Sequence, residues 1–248
     1  MLKILTVAFA IFITSAAAIF AEEIEIESTN GVILYADHYT AKNDAPLIIL
    51  HHQAGWSARG EYNEIAQRLT TEGFNVLAVD ARGGASRAGD HPNRTLDALN
   101  GESLPYCEVL PDVIASLEYA ASAYPSNKKI LWGSSYSAAL VLEVAVSEKN
   151  NIQAVLAFSP ASGSPMGDCQ PNELADKLTV PTMILRPQNE MEIESVSAQF
   201  DLFKTEGHTM HVAKNGVHGS SMLVEERTEH STQAEWSAVL AFIKDAVE

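Results

Sequence analysis

The sequence predicts an α/β fold: a three-layer αβα sandwich around a doubly wound, mostly parallel sheet of about eight strands, with an antiparallel edge at its N-terminal side. Three observations predict it. Short apolar runs without polar alternation recur along the chain, as strands covered on both faces require. Segments with helical spacing separate those runs. Only the first strand region alternates, which suits an edge open to water on one side.

The elements follow in order. Residues 24–27 (IEIE) alternate as a half-exposed strand, and Asn30-Gly31 is a hairpin turn signal leading into a second strand at 32–39. The runs at 47–50 (LIIL), 76–79 (VLAV), 130–131, 155–158 (VLAF) and 183–185 (MIL) read as interior strands, and 210–213 as a further one. Residues 61–71 place Ile65 and Leu69 on one helical face and stop at Gly73, while 113–121 place Ile114, Leu117 and Ala121 at helical spacing. Residues 137–147 are apolar nearly all round, as a helix buried against a sheet should be. A final amphipathic helix at 234–247 carries Trp236, Val239, Leu240 and Ile243. The polar, Gly-rich stretch 82–105 exceeds ordinary loop length, which fits a functional loop, a partial cover or a plain surface excursion. Residues 159–180 leave room for one short helix and for no inserted lid domain.

The first 21 residues, MLKILTVAFAIFITSAAAIFA, join a basic start to an apolar run and small residues, followed abruptly by Glu22-Glu23. That pattern is expected of a secretory signal peptide; an N-terminal anchor is the alternative, although the run is short for a span. Cleavage after Ala18 or after Ala21 both fit. The remainder, 22–248, is expected to fold as one domain, with no repeat or low-complexity tract. A formal net charge of −16 argues against binding nucleic acid or an anionic membrane surface. Cys107 and Cys169 are the two cysteines of an exported chain, so a disulfide and a pair of buried thiols are both open readings.

The chemistry centres on GSSYS, residues 133–137, set between an apolar strand and an apolar helix. That context is a nucleophile elbow: the sharp turn thrusts Ser135 out at the carboxyl end of the sheet, and small neighbours let strand and helix pass closely. A Ser-rich turn without chemistry is the plain alternative. A serine hydroxyl needs a histidine to take its proton, and the histidine needs an acid to hold its tautomer. In KNGVHGSSML, His218 sits in a Gly-flanked loop after the run 210–213 and is the candidate base. His208 and His211 lie in or beside that strand, and His230 opens the last helix. In RPQNEME, residues 186–192, Glu190 has the best spacing for the acid, with Glu192 and Asp168 as rivals. The loop of LIILHHQAGWS should supply an oxyanion donor through the Gln53 main chain, beside the Tyr136 amide that follows the nucleophile. Trp56 and Tyr106 are candidate walls of a substrate pocket. The adjacent His51-His52 pair lacks a third ligand at suitable spacing, which makes a metal site a weak reading.

Through LHHQAGWS, VDARGGASR, GSSYS, the carboxylate loop and GVHG, the chain resembles the α/β-hydrolase superfamily, nearest its dienelactone-hydrolase-like and small-esterase branches, over nearly its whole length after residue 21. It departs from the common pattern in having His52 and Ser137 for glycines, and Arg186-Pro187 before the acid. The resemblance implies attack by Ser135 on a small carboxylic ester, proton transfer to His218, an oxyanion resting on the Gln53 and Tyr136 amides, and hydrolysis of the acyl-enzyme by water without a cofactor. A serine at this position disfavours the branches that use aspartate. A catalytically silent binding member of the fold and a peptidase acting on short peptides are the competing expectations.

Overall fold

The computed structural model describes residues 21–83 and 91–248. The expected signal segment, apart from Ala21, and the middle of the 82–105 stretch lie outside the described residues. Eight strands form one sheet in the order β1-β2-β4-β3-β5-β6-β7-β8: β1 Ala21–Glu27, β2 Ile33–Tyr39, β3 Leu47–His51, β4 Asn75–Val79, β5 Lys129–Ser134, β6 Ala154–Phe158, β7 Thr182–Pro187 and β8 Thr209–Ala213. The β1-β2 and β2-β4 pairs are antiparallel, and every other pair is parallel.

Non-alternating strands belong here because both faces are covered. Along β3, Leu47 and Ile49 enter one apolar layer while Ile48 and Leu50 enter the other. The first layer is filled by α3 (Leu110–Ala123), α4 (Tyr136–Ser147) and, through Phe200 and Phe203, α5 (Glu194–Thr205). The second is filled by α1 (Ala58–Thr71), through Tyr62, Ile65 and Leu69, and by a C-terminal helix, Gln233–Val247, through Trp236, Val239 and Ile243. Burying each such side chain contributes about 1.5–3 kcal/mol, so both layers hold the sheet between them.

Helix ends follow local chemistry. Ser57 caps α1 by accepting the Gly60 N–H at 3.0 Å, and the chain leaves that helix through Gly73, whose positive φ of 94° suits glycine. Inside the long connection after β4, Asn93 caps the short helix α2, Arg94–Ala98, by accepting from Leu96 N at 3.0 Å.

Four features differ from the sequence reading. Helix α5 between β7 and β8 carries only two large buried apolar residues, too few for a clear period. A four-residue helix, α6 at Glu225–Thr228, lies before the terminal helix. That terminal helix, α7, begins at Gln233, so His230 precedes it rather than opening it. Residues 159–180 hold two short 3-10 turns, Ser164–Met166 and Pro171–Leu174, instead of one helix. Pro165 and Pro171 stand in the first turn of each, where the missing N–H would have no helical partner, and Gly167 at a positive φ of 55° ends the first run. Cys107, in the 3-10 turn Tyr106–Val109, is disulfide-bonded to Cys169 with a Cα–Cα distance of 5.5 Å, tying that turn to the segment after β6. Among the described residues, no helix is long and apolar enough to cross a membrane.

Candidate active site

Ser135 is the single residue between β5 and α4, with φ 62° and ψ −117°. A non-glycine residue held at positive φ is strained, and here strand-to-helix geometry forces it. Its N–H donates to Phe158 O at 2.8 Å and its carbonyl accepts from Ala161 N at 3.0 Å, which pins the turn to the end of β6. A Cβ on Gly133 would come within 2.4 Å of Ser137 O, so β5 and α4 pass too closely there for any side chain. Ser137 earns its small size differently: its hydroxyl bonds Ser134 N at 2.8 Å and His51 O at 2.6 Å. The Ser135 side chain makes no capping bond to α4 and is half-buried.

His218 lies in the loop after β8, with its Nδ1 2.5 Å from Glu190 Oε1. A carboxylate only accepts, so Nδ1 carries a proton, and in the neutral imidazole the lone pair is on Nε2. Glu190 occupies a 3-10 turn, Gln188–Glu192, directly after β7. Its other oxygen accepts from Arg186 Nη1 at 2.7 Å. Burial alone would raise this carboxyl, but the hydrogen bonds from His218 and Arg186 outweigh it and hold Glu190 below the ordinary carboxylate value. Arg186 itself is 3% exposed and also donates to Pro160 O and Gln199 Oε1. Neither Glu192 nor Asp168 hydrogen-bonds His218 among the described residues, and both are exposed.

Two further residues, missed in the sequence, join these parts. Ser159, at positive φ of 50°, donates to Glu190 Oε1 at 3.1 Å and accepts the Gly219 N–H at 3.1 Å. It therefore braces acid and histidine loop together. Ser134 accepts the Ser220 N–H at 2.9 Å, which fastens the histidine loop to the residue just before Ser135. A Cβ on Gly219 would lie 2.3 Å from that Ser134 oxygen, so only glycine fits.

The oxyanion expectation needs one correction. The Gln53 main-chain N–H does not stand free: it donates to the buried carboxylate of Glu61, on α1, at 2.6 Å. Glu61 reaches it because the loop after β3 turns back over the first turn of that helix. In the same loop the Ala54 N–H has no protein acceptor among the described residues, and the same holds for the Tyr136 N–H at the first turn of α4. His52 holds the loop from behind. Its Nε2 accepts from Ala81 N at 3.0 Å, so its protonated Nδ1 donates to Gln53 O at 2.9 Å. His51 is fully buried, bonded through Nε2 to Ser116 Oγ at 3.1 Å, and burial followed by its neighbour His52 drives its pKa down to about 3. Trp56 lies under the Arg227 guanidinium, 4.8 Å from the ring centre, and Tyr106 stacks on Tyr136 at 4.9 Å. The disulfide therefore anchors the turn that carries Tyr106 beside the residue following Ser135.

Residues 42–199 match the family model described as serine aminopeptidase, S33, of the hydrolase type. No curated protein matches the sequence. Among solved structures, an esterase of Pyrococcus furiosus superposes with a TM-score of 0.70 at 16% identity, covering 93% of this chain and 92% of that one. A protein from Klebsiella pneumoniae described as a dienelactone hydrolase gives 0.65 at 18% identity, over 91% and 98% of the two chains. An acylaminoacyl peptidase of Pyrococcus horikoshii gives 0.62 at 14% identity, covering 92% of this chain and 42% of that larger one. With the eight-stranded sheet, the turn at Ser135 and a family match over more than half its length, the chain belongs to the serine aminopeptidase S33 family of the α/β-hydrolase superfamily.

Proposed function

We propose that the protein is a serine hydrolase that cleaves small carboxylic esters through Ser135, His218 and Glu190. One observation carries the reading: an imidazole whose Nδ1 is held 2.5 Å from a half-buried carboxylate sits in a loop bonded to the strained turn that presents Ser135. In this mechanism, Nε2 of His218 takes the Ser135 proton as the hydroxyl oxygen attacks the ester carbonyl. The tetrahedral oxyanion is met by the Tyr136 N–H and by a donor from the loop after β3, for which the Ala54 amide replaces Gln53. His218 then returns its proton to the leaving alcohol, and water repeats the sequence to free the acid and regenerate Ser135. Side chains, main-chain amides and water suffice for each step, so no cofactor enters.

An ester substrate is favoured by the fold shared with an esterase; the family description favours a second reading, hydrolysis of short peptides. Purified protein should turn over p-nitrophenyl acetate well above Ser135→Ala and act only weakly on aminoacyl p-nitroanilides. The reverse preference selects the peptidase reading, and background rates on both substrates select a silent binding member of the fold. The opening apolar segment and the Cys107–Cys169 bond support export to an oxidising compartment as part of this proposal.

A further inference from the structure

Behind the proposed site lies an ionisable group that the mechanism above does not use. Glu61, in the first turn of α1, is completely buried. Three donors converge on its carboxylate: Gln53 N at 2.6 Å on Oε2, with Gln53 Nε2 at 3.1 Å and Ser134 Oγ at 2.7 Å on Oε1. Ser134 Oγ in turn accepts from Ser220 N at 2.9 Å, and Gln53 Nε2 also reaches Ser221 Oγ at 3.4 Å. One carboxylate thus gathers the loop after β3, the Ser135 turn and the His218 loop.

We propose that Glu61 is a positioning residue of the hydrolytic site, fixing these three segments in one mutual geometry. The proposal rests on the serine-hydrolase reading and deepens it. An acceptor-only group is required because every neighbour pointing at it donates; an amide would turn N–H groups toward at least one of those donors. The arrangement is also costly. Burial pushes the Glu61 carboxyl up, and the bonds from Ser134 and Gln53 only partly offset this, so a filler of cavity volume would serve better as an apolar side chain. The Gln53 amide drawn to Glu61 leaves Ala54 as the next unpaired N–H of that loop, which makes the clamp a determinant of where an oxyanion donor stands.

The test compares the parent protein, Glu61→Gln, Ser134→Ala and the exposed one-turn control Glu64→Gln, with p-nitrophenyl acetate kinetics normalised to sites titrated by a fluorophosphonate. Normalisation separates slower sites from fewer folded molecules. Glu61→Gln is expected to lower kcat per titrated site by about ten- to hundredfold, as misplacement of reacting groups does, with KM changed less than about threefold. Ser134→Ala, which removes one arm of the clamp, should lose about three- to tenfold, and Glu64→Gln should match the parent. If Glu61→Gln does not fold, Ser134→Ala carries the test alone. A kcat within about twofold of the parent in the folded variants, whatever their Tm, overturns the role of Glu61 while leaving the hydrolase reading intact. A parent protein that neither turns over the ester nor takes the label overturns both.

Discussion

Glu190 Oε1 lies 2.5 Å from His218 Nδ1, while Arg186 occupies the opposite oxygen at 2.7 Å. The carboxylate is therefore oriented from both sides, and the imidazole has one tautomer available to it. On the proposed mechanism, Glu190→Gln keeps the shape but can present an N–H to Nδ1, so kcat should fall by about 10³–10⁴-fold. Glu192→Gln, at an exposed position with no bond to His218, should stay within about twofold. Steady-state kinetics of the two variants checks the ranking, and the reverse order would transfer the acid role.

Arg186 gives a prediction in pH. Its hydrogen bond helps to hold Glu190 low, so Arg186→Gln should let the Glu190 pKa rise and move the acid limb of kcat/KM to higher pH. Because Glu190, left behind, keeps its bonds to His218 and Ser159, the same variant should lose about 1.5–3 kcal/mol of stability, the worth of a hydrogen bond to a charged group. A pH–rate profile taken where the variant remains folded reads the first effect, and denaturant unfolding reads the second.

His51 sets a separate pH dependence, this time of stability. Its folded pKa of about 3 lies below the ordinary histidine value of 6.5, so the unfolded chain binds a proton that the folded chain refuses. The stability linked to this group is complete above pH 6.5 and declines as pH falls from there toward 3. The decline approaches about 1.4 kcal/mol per pH unit once the unfolded histidine is protonated. Urea titrations at pH 7 and pH 5 should show a larger difference for the native protein than for His51→Gln. Parallel behaviour of the two would remove His51 as the source.

The Cys107–Cys169 bond closes a loop with a sequence separation of 62. Opening it in a Cys107→Ser/Cys169→Ser variant should cost about 3–5 kcal/mol by loop-closure entropy, measured as a lowered denaturant midpoint. Because the bond anchors the turn bearing Tyr106, the variant should also show a raised KM for bulky acyl esters before kcat changes.

The architecture could be read from the sequence because its signals are local. Runs such as LIIL at 47–50 report burial on two faces without knowledge of neighbours, and GSSYS reports a close strand-to-helix passage by its small residues alone. Relationships across the chain were another matter. Glu61 looks like a first-turn helix acid, favourable at that end and otherwise unremarkable, until the fold brings Gln53 and Ser134 onto it. Its presence also explains the one misplaced donor, since spacing could identify the loop after β3 but not which of its amides a distant carboxylate would capture. Ser159 carried no local sign beyond following a strand, and the brace it forms between Glu190 and Gly219 exists only in three dimensions. Helix α5 escaped for a simpler reason, as Phe200 and Phe203 alone make too sparse a stripe.

The central claim is that Ser135 is a hydroxyl activated by His218. Its most direct measurement is the rate of covalent labelling by a fluorophosphonate, followed by mass mapping of the modified peptide, in the native protein and in His218→Ala. The account predicts a single adduct on Ser135 in the native protein and labelling slowed by at least about a hundredfold in the variant. An adduct on another residue, or equal labelling rates with and without the imidazole, would contradict it.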